Sequence, residues 1–338
     1  LAGSWNRLGG LDTRIKLTGQ FFLQGQALAS FSGGDRSPTR GAPAFLASLE
    51  HRGRHWTVLA NYNDFSPNFR ADAGFVPRVD IRRHMGYLGY TFRRREGALI
   101  RWTPDFGYLV IWNHAGQRQD WFYRGGLDFE WRRQTFLFVA APRARERFRG
   151  LDFDRSSWVV QFRTAASKRL TFQTYTYAAR SIVYQPAAGR LPFQARSLGS
   201  DSGLTFRPAP RLRLDHSVLL YRLQDARSGA PVFTNAIFRQ KINWQFNREL
   251  SLRTIVQYES TMPNPALSAL PRTKRFAGDI LLSYVLHPGT ALYVGYAHHL
   301  ENLDAGLGRD PYGPPLRTPA LFPTGRQFFA KISYLYRF

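Results

Sequence analysis

The residues able to do chemistry are few in kind. The chain has 8 histidines and no cysteine, which removes thiolate metal sites, iron–sulfur ligation, disulfide frameworks and thiol nucleophiles. The histidines are His51, His55, His84, His114, His216, His287, His298 and His299. On a strand, the adjacent pair His298 and His299 sends one ring to each face, so the two cannot grip one metal. Ser283, His299 and Asp279 supply the residue types of a nucleophile, a base and an orienting acid, yet any chain rich in alternating polar positions offers such triples by coincidence. No Gly-x-Ser-x-Gly elbow, His-Glu-x-x-His pair or phosphate-binding glycine loop occurs. The sequence therefore reads as a protein that is not an enzyme and needs no cofactor or metal. What stands out is charge: 47 Lys and Arg against 23 Asp and Glu, a formal net charge of +24.

Such a balance fits three partners: nucleic acid, an anionic lipid surface, or solutes passing a basic pore lining. The placement of the charges decides. They alternate with apolar residues one by one over segments of about ten residues, the period of a strand. In Leu250 to Glu259 one face carries Leu250, Leu252, Thr254, Val256 and Tyr258, and the other Ser251, Arg253, Ile255, Gln257 and Glu259. Gly125 to Arg132, Ala236 to Phe246 and Gln327 to Phe338 repeat the pattern. Weaker versions run through Leu11 to Leu17, Phe45 to Leu49, Trp56 to Tyr62, His84 to Phe92, Trp158 to Thr164 and Leu212 to Tyr221. Charge on one face of a strand is not the exposed patch, interleaved with stacking aromatics, that nucleic acid requires. Nucleic acid is therefore not an expected partner.

The segments are punctuated in two ways. Short turns are predicted at Thr18-Gly19, His51 to Arg54, Arg93 to Gly97, Arg132 to Gln134, Ser167-Lys168, Pro208 to Pro210, Asn247-Arg248 and His287 to Gly289. Longer connections are predicted at Ser32 to Pro43, Ser66 to Asp80, Asn113 to Gln119, Pro142 to Ser156, Gln185 to Pro192, Gln224 to Pro231, Met262 to Thr273 and Asn302 to Gly325, the last being the longest. Short turns at one end and long loops at the other are the grammar of a transmembrane barrel. A soluble sandwich shows the same alternation, but about seventeen strands are too many for one. Aromatics also gather beside the short turns (Phe92, Trp131, Phe136, Phe172, Trp244, Phe246, Tyr336, Phe338), where a membrane-interface girdle belongs. The mean hydropathy of −0.36 excludes a bundle of membrane helices. The expected fold is an all-β, antiparallel, up-and-down transmembrane β-barrel of the outer-membrane type.

With the apolar faces turned to lipid, the lumen face receives Arg14, Lys16, Arg83, Arg101, Arg124, Arg132, Arg163, Arg213, Arg239, Lys241, Arg253 and Lys331. Fixed positive charge in a narrow aqueous path favours anions. Some of these arginines are expected to pair across strands with Asp128, Glu130 and Asp215, but the acids are too few to neutralise all of them. Basic residues in loops and turns are placed to meet the phosphates of outer-membrane lipid and lipopolysaccharide.

Two resemblances sharpen this reading. The final stretch, with Lys331, Ser333, Tyr336 and Phe338 as its polar, small and aromatic positions, resembles the terminal signal by which the barrel-assembly machinery recognises bacterial outer-membrane proteins. The stretch Phe69 to Arg83, whose sharp motif is Gly74-Phe75-Val76-Pro77-Arg78, is similar to one in a poorly characterised bacterial family. Asn6 to Arg14 and Leu204 to Leu212 agree with it. Members of that family carry a carbohydrate-binding family 9-like domain followed by a C-terminal outer-membrane barrel. The resemblance implies that residues 1–338 are the C-terminal portion of a longer barrel, with upstream strands and the sugar-binding-like domain outside the sequence, and the odd strand count points the same way. In the motif loop, Phe75 and Val76 are expected to pin the backbone and Arg78 to reach a lumen carboxylate. The expected function is a porin-like channel with an anion-favouring lumen. The alternative is a plugged barrel that anchors partner proteins of the cell envelope.

Overall fold

A computed structural model describes residues 3–34, 37–304 and 316–335. Among these residues there is no helix; the strands belong to one antiparallel sheet. In chain order they are β1 (Ser4–Thr18), β2 (Phe21–Gly34), β3 (Ser37–Arg52), β4 (Trp56–Phe65), β5 (Ile81–Tyr90), β6 (Phe92–Arg93), β7 (Leu99–Trp112), β8 (Arg118–Trp131) and β9 (Thr135–Phe148), followed by β10 (Leu151–Thr164), β11 (Leu170–Val183), β12 (Phe193–Ala209), β13 (Leu212–Asp225), β14 (Pro231–Gln245), β15 (Leu250–Pro263), β16 (Thr273–His287), β17 (Thr290–Asp304) and β18 (Leu316–Ser333). β5 and β6 both pair with β7 and are one run interrupted at Thr91. Among the described residues the eighteen segments are thus seventeen crossings, the number expected from the alternation. The chain is all-β, antiparallel and up-and-down, the fold of outer-membrane barrels, with an apolar face toward lipid and a polar face inward.

Contacts group the chain into two compact units: Leu1–Glu130 with Phe138–Trp158, and Trp131–Leu137 with Val159–Phe338. In the first, cross-strand register puts Arg14, Gln24, Ser48, Asn61 and Met85 in one row on the polar face. Its opposite face bears Leu11, Ile15, Phe45, Leu88 and Phe106, all large and all exposed. In the second unit Arg213, Asn243 and Arg253 share a row on neighbouring strands, while Leu198, Phe238, Val256, Ile280 and Phe328 are exposed on the other side. Exposed apolar side chains collected on one face are unsustainable in water and natural in lipid.

All eight short turns fall where the sequence puts them. At the turn ends aromatics meet one another: Phe92 stacks on Trp102 at 4.3 Å between ring centroids in the first unit, and Trp244 on Phe246 at 4.9 Å in the second.

Several expected long loops are instead strand. Pro142 to Ser156 is a hairpin closed by Arg149 and Gly150, both at positive φ (49° and 79°), the backbone a tight two-residue turn requires. Charges on both faces hide its alternation, but they pair across the hairpin, Arg145 with Asp154 at 2.9 Å and Arg155 with Glu146 at 2.7 Å. Ser32 to Pro43 is likewise paired, Ser32 with Arg40 and Gly34 with Ser37. Of the span Asn302 to Gly325, residues 302–304 and 316–325 are strand and residues 305–315 lie outside the described residues. β18 ends at Ser333, short of the expected terminus; Tyr336 and Phe338 of the assembly signal lie outside the described residues.

Close packing between strands depends on a few glycines. The Tyr177 ring lies over Gly199, its partner on the adjacent strand; a Cβ there would stand 2.4 Å from the Tyr177 Cε1. Gly199→Val should therefore force the ring aside at a cost of about 1–3 kcal/mol. The expected result is a lower unfolding temperature of the detergent-solubilised protein, followed by the loss of its β-sheet circular dichroism. An unchanged transition would show that the ring has room to move.

Candidate functional site

The polar face is the surface on which function has to be built, and the strands set its chemistry row by row. In the first unit Arg14 stands beside Gln24 and over the Phe22 ring, 5.1 Å from guanidinium carbon to centroid. Lys16 pairs with Phe22, and Arg83 stands between Asn63 and Ile111. Farther along, the charges compensate. Arg101 binds Glu130, and Arg124 binds Asp105, whose side chain is fully buried (0 % exposed). Gly126 makes room for that carboxylate, since a Cβ there would lie 2.6 Å from Asp105 Oδ2. The Phe138 ring flanks the Arg124 guanidinium at 5.1 Å.

In the second unit Arg239 faces Ser217 and Gln257, Lys241 faces Asp215, and Lys331 faces Tyr293. Arg213 donates through Nε to both oxygens of Asp215 at 2.9 Å. Phe162 contacts Phe172 of the apolar face, which by alternation turns Arg163 to the polar side. Arg132 departs from expectation: β8 ends at Trp131, and Arg132 is an exposed turn residue.

The polar face changes character toward the loop ends, where apolar residues replace charge and a loop covers them. In the first unit Leu28, Ala42, Ala44 and Phe65 hold that place, and the connection between β4 and β5 packs on them with Phe69, Ala71, Val76 and Val79. Asn6 fastens this loop by donating through Nδ2 to the Arg70 carbonyl at 3.0 Å and accepting from the Asp72 N–H at 3.1 Å. Ser30, 1 % exposed, donates to the same carbonyl. The motif lies in this loop. Val76 belongs to the packed cluster, whereas Phe75 is 90 % exposed and pins nothing, contrary to expectation. Arg78 donates to Asp120 at 2.8 Å, at the loop end of β8. Gly74 donates its N–H to the Ala71 carbonyl in a tight turn, and Pro77 leads into Arg78 without a hydrogen-bond donor of its own.

The base of the loop is locked by a residue to which the sequence assigned no role. His114 lies between two carboxylates, its Nε2 2.8 Å from Asp64 and its Nδ1 3.0 Å from Asp80. The backbone N–H of His114 also donates to Asp80 and is the main reason that carboxyl sits below its usual range; burial opposes the shift, while the imidazole and Arg78 support it.

The second unit repeats the device with two loops. Residues 184–192 and 264–272 join through a bridge between Pro186 and Ser268, with Ala187 donating to Leu267 and Ala269 to Gln185. Leu267 seals a core of Val183, Ala195, Leu223 and Val232 on the polar side. The fully buried Asn302 holds the base, donating to the Arg272 carbonyl at 3.0 Å and accepting from the Lys274 N–H at 2.7 Å. A sequence signal for both devices exists: apolar residues in polar-face register near a long connection.

No catalytic grouping forms from the triple weighed in the sequence. His299 Nε2 is 3.9 Å from Asp279, but Ser283 pairs with Tyr293 while His299 pairs with Ala277, about 20 Å apart along the strand. Among the described residues no group of His, Cys, Asp and Glu is arranged to hold a metal ion.

No family model matches the chain, and no curated protein matches it. Solved structures do. The copper transporter OprC superposes with a TM-score of 0.55 at 10% identity, covering 97% of this chain and 65% of its own. The siderophore receptor PirA from Acinetobacter baumannii gives 0.46 at 10% identity, with 97% and 64% covered. Pseudomonas aeruginosa OccK8 gives 0.38 at 11%, with 88% and 89% covered. The chain thus spans about two thirds of the length of OprC, and at this identity the likeness establishes the outer-membrane barrel fold and nothing finer.

Two outcomes follow from the loop anchors. Asn6→Ala removes the acceptor of the Asp72 N–H and one of the two donors to the Arg70 carbonyl, at a cost of about 0.5–1.5 kcal/mol, so trypsin should cut after Arg70 and Arg78 faster than in the unaltered protein, with the strands intact. Because the folded Asp80 has a depressed pKa, its contribution is full above the ordinary carboxylate value of about 3.9 and is lost as pH falls through the folded value. Hydrogen-exchange protection in residues 66–80, taken relative to the intrinsic exchange rate at each pH, should fall below about pH 4 in the unaltered protein, and Asp80→Asn should abolish that pH dependence.

Proposed function

We propose that this protein is a channel of the bacterial outer membrane whose polar face lines an aqueous path favouring anionic solutes. The observation that carries the reading is the uneven pairing of charge on that face. On β7 and β8 Arg101 and Arg124 each have an acid, whereas among the described residues Arg14, Arg239, Lys241 and Arg253 form no salt bridge with a carboxylate. Uncompensated cations in a confined path raise the local anion concentration and set selectivity. In each unit the covering loops lie on the polar face at the loop end.

A second reading is supported by the same loops. They are fastened by buried side chains and apolar contacts, which suits a plugged barrel serving as an anchor for envelope proteins. Other parts of the proposal rest on sequence: contact of loop arginines with outer-membrane lipid and lipopolysaccharide, delivery by the barrel-assembly machinery through Lys331, Ser333, Tyr336 and Phe338, and kinship with the family that carries a sugar-binding-like domain.

Single-channel recording of the purified protein in planar bilayers separates the readings. Open steps with anion preference, lowered about twofold in permeability ratio by Arg239→Gln with Arg253→Gln, are the channel's expected signature. Verified insertion with no conductance would overturn it and leave the anchor.

A further inference from the structure

The turn end of the second unit holds a concavity of about 410 Å³ on the polar face, lined by Arg207, Arg211, Arg213 and Arg253 together with Asn243, Gln245, Ser251 and Ser283. We propose that it is a binding site for a small hydroxylated solute carrying a phosphate or carboxylate group. The proposal rests on the channel reading in one respect, that solutes reach the polar face from the aqueous path.

Charge is the first argument. Of the four guanidinium groups, only Arg213 has an acid among the described residues, Asp215. Arg211 spends one donor on the Phe246 carbonyl at 2.9 Å, which fixes its stem beside the hollow and leaves its other donors free. For Arg207 and Arg253 no side-chain hydrogen bond or ion pair exists among the described residues. Three uncompensated charges, Arg207, Arg211 and Arg253, around one hollow repel each other, and an oxyanion relieves that repulsion while accepting several charge-assisted hydrogen bonds, for which the planar guanidinium is the best donor.

Position is the second. Arg213, Asn243 and Arg253 stand in one cross-strand row, with neighbouring strands about 4.8 Å apart. Arg213 and Arg253 are thus about 10 Å apart at the backbone, with an amide between them. The long side chains can close on one anionic group from both sides. Asn243, Gln245, Ser251 and Ser283 then remain as donors and acceptors for hydroxyls on the rest of the solute, the mixture a sugar phosphate or sugar acid would use. A hollow of this size accommodates a small organic solute.

Arg213, Asn243 and Arg253 are held in paired strands, and the Arg211 side chain is fixed on the Phe246 carbonyl, which lowers the ordering cost of binding. Its place near the short turns, the periplasmic side of such barrels, puts it where a solute leaves the path, away from the covered loop end.

Calorimetric titration of the full chain in detergent with glucose 6-phosphate, and with glucose as the uncharged control, tests the site without relying on conductance. Glucose 6-phosphate should bind and glucose should not. Arg207→Gln with Arg253→Gln should weaken binding at least tenfold, while Arg94→Gln with Arg95→Gln, which removes equal charge from a short turn of the first unit that does not line the hollow, should leave it unchanged. Equal weakening in both pairs would reduce the effect to bulk charge and overturn the site, as would unaltered binding in the first pair or no binding of glucose 6-phosphate at all. Binding without conductance would retain the site and remove the channel; conductance without binding would do the reverse.

Discussion

Everything in this structure depends on the absence of water from the hydrocarbon core. A backbone that crosses lipid must pair every N–H and C=O with protein, and strands achieve this only by laddering to neighbours along their whole length. The seventeen crossings and the ladder that runs from β11 to β18, shifted in register only near strand ends, are the direct consequence. Once the ladder is fixed, the side-chain period of two assigns each residue to lipid or to the polar face, with no freedom left to the individual side chain. Leu252 meets lipid because Arg253 does not.

The polar face then serves two different solvents along its length. Toward the turns it meets water and carries charge and amides. Toward the loops it carries Leu28, Ala44 and Phe65 in one unit and Val183, Leu223 and Phe233 in the other, and these are covered by chain that returns over them. Apolar contact draws the loops inward, and side chains anchored on the strands, Asn6 and Ser30 in one unit and Asn302 in the other, satisfy the backbone groups the loops bring with them. Loops built this way are part of the fold, and the sequence that positions them is the strand sequence beneath.

Charge is distributed with the same economy. Arg124 and Asp105 sit deep in the wall, where an unpartnered charge would be costly, and Gly126 yields the space they occupy. Arg239 and Arg253 stand where water solvates them and need no acid. A net charge of +24 is therefore compatible with a stable wall, because the buried Asp105 carboxylate is paired and the unpaired Arg239 and Arg253 are exposed.

By itself the sequence determined the fold class, the crossings and the eight short turns, because all of these follow from local alternation and turn chemistry. It misjudged the hairpins at 142–156 and 32–43, where charge on both faces or glycine and proline in the strand mask the period, and it carried Arg132 one step too far into a strand. It left His114 as one of eight histidines and Phe75 as an anchor. Tertiary structure alone decided that Asp64 and Asp80, sixteen positions apart, close on His114, that residues 184–192 meet 264–272, and that Arg207, Arg211, Arg213 and Arg253 share one hollow. Periodicity reports which face a side chain takes, whereas these meetings depend on which distant segment the register places opposite, and that is a property of the assembled sheet.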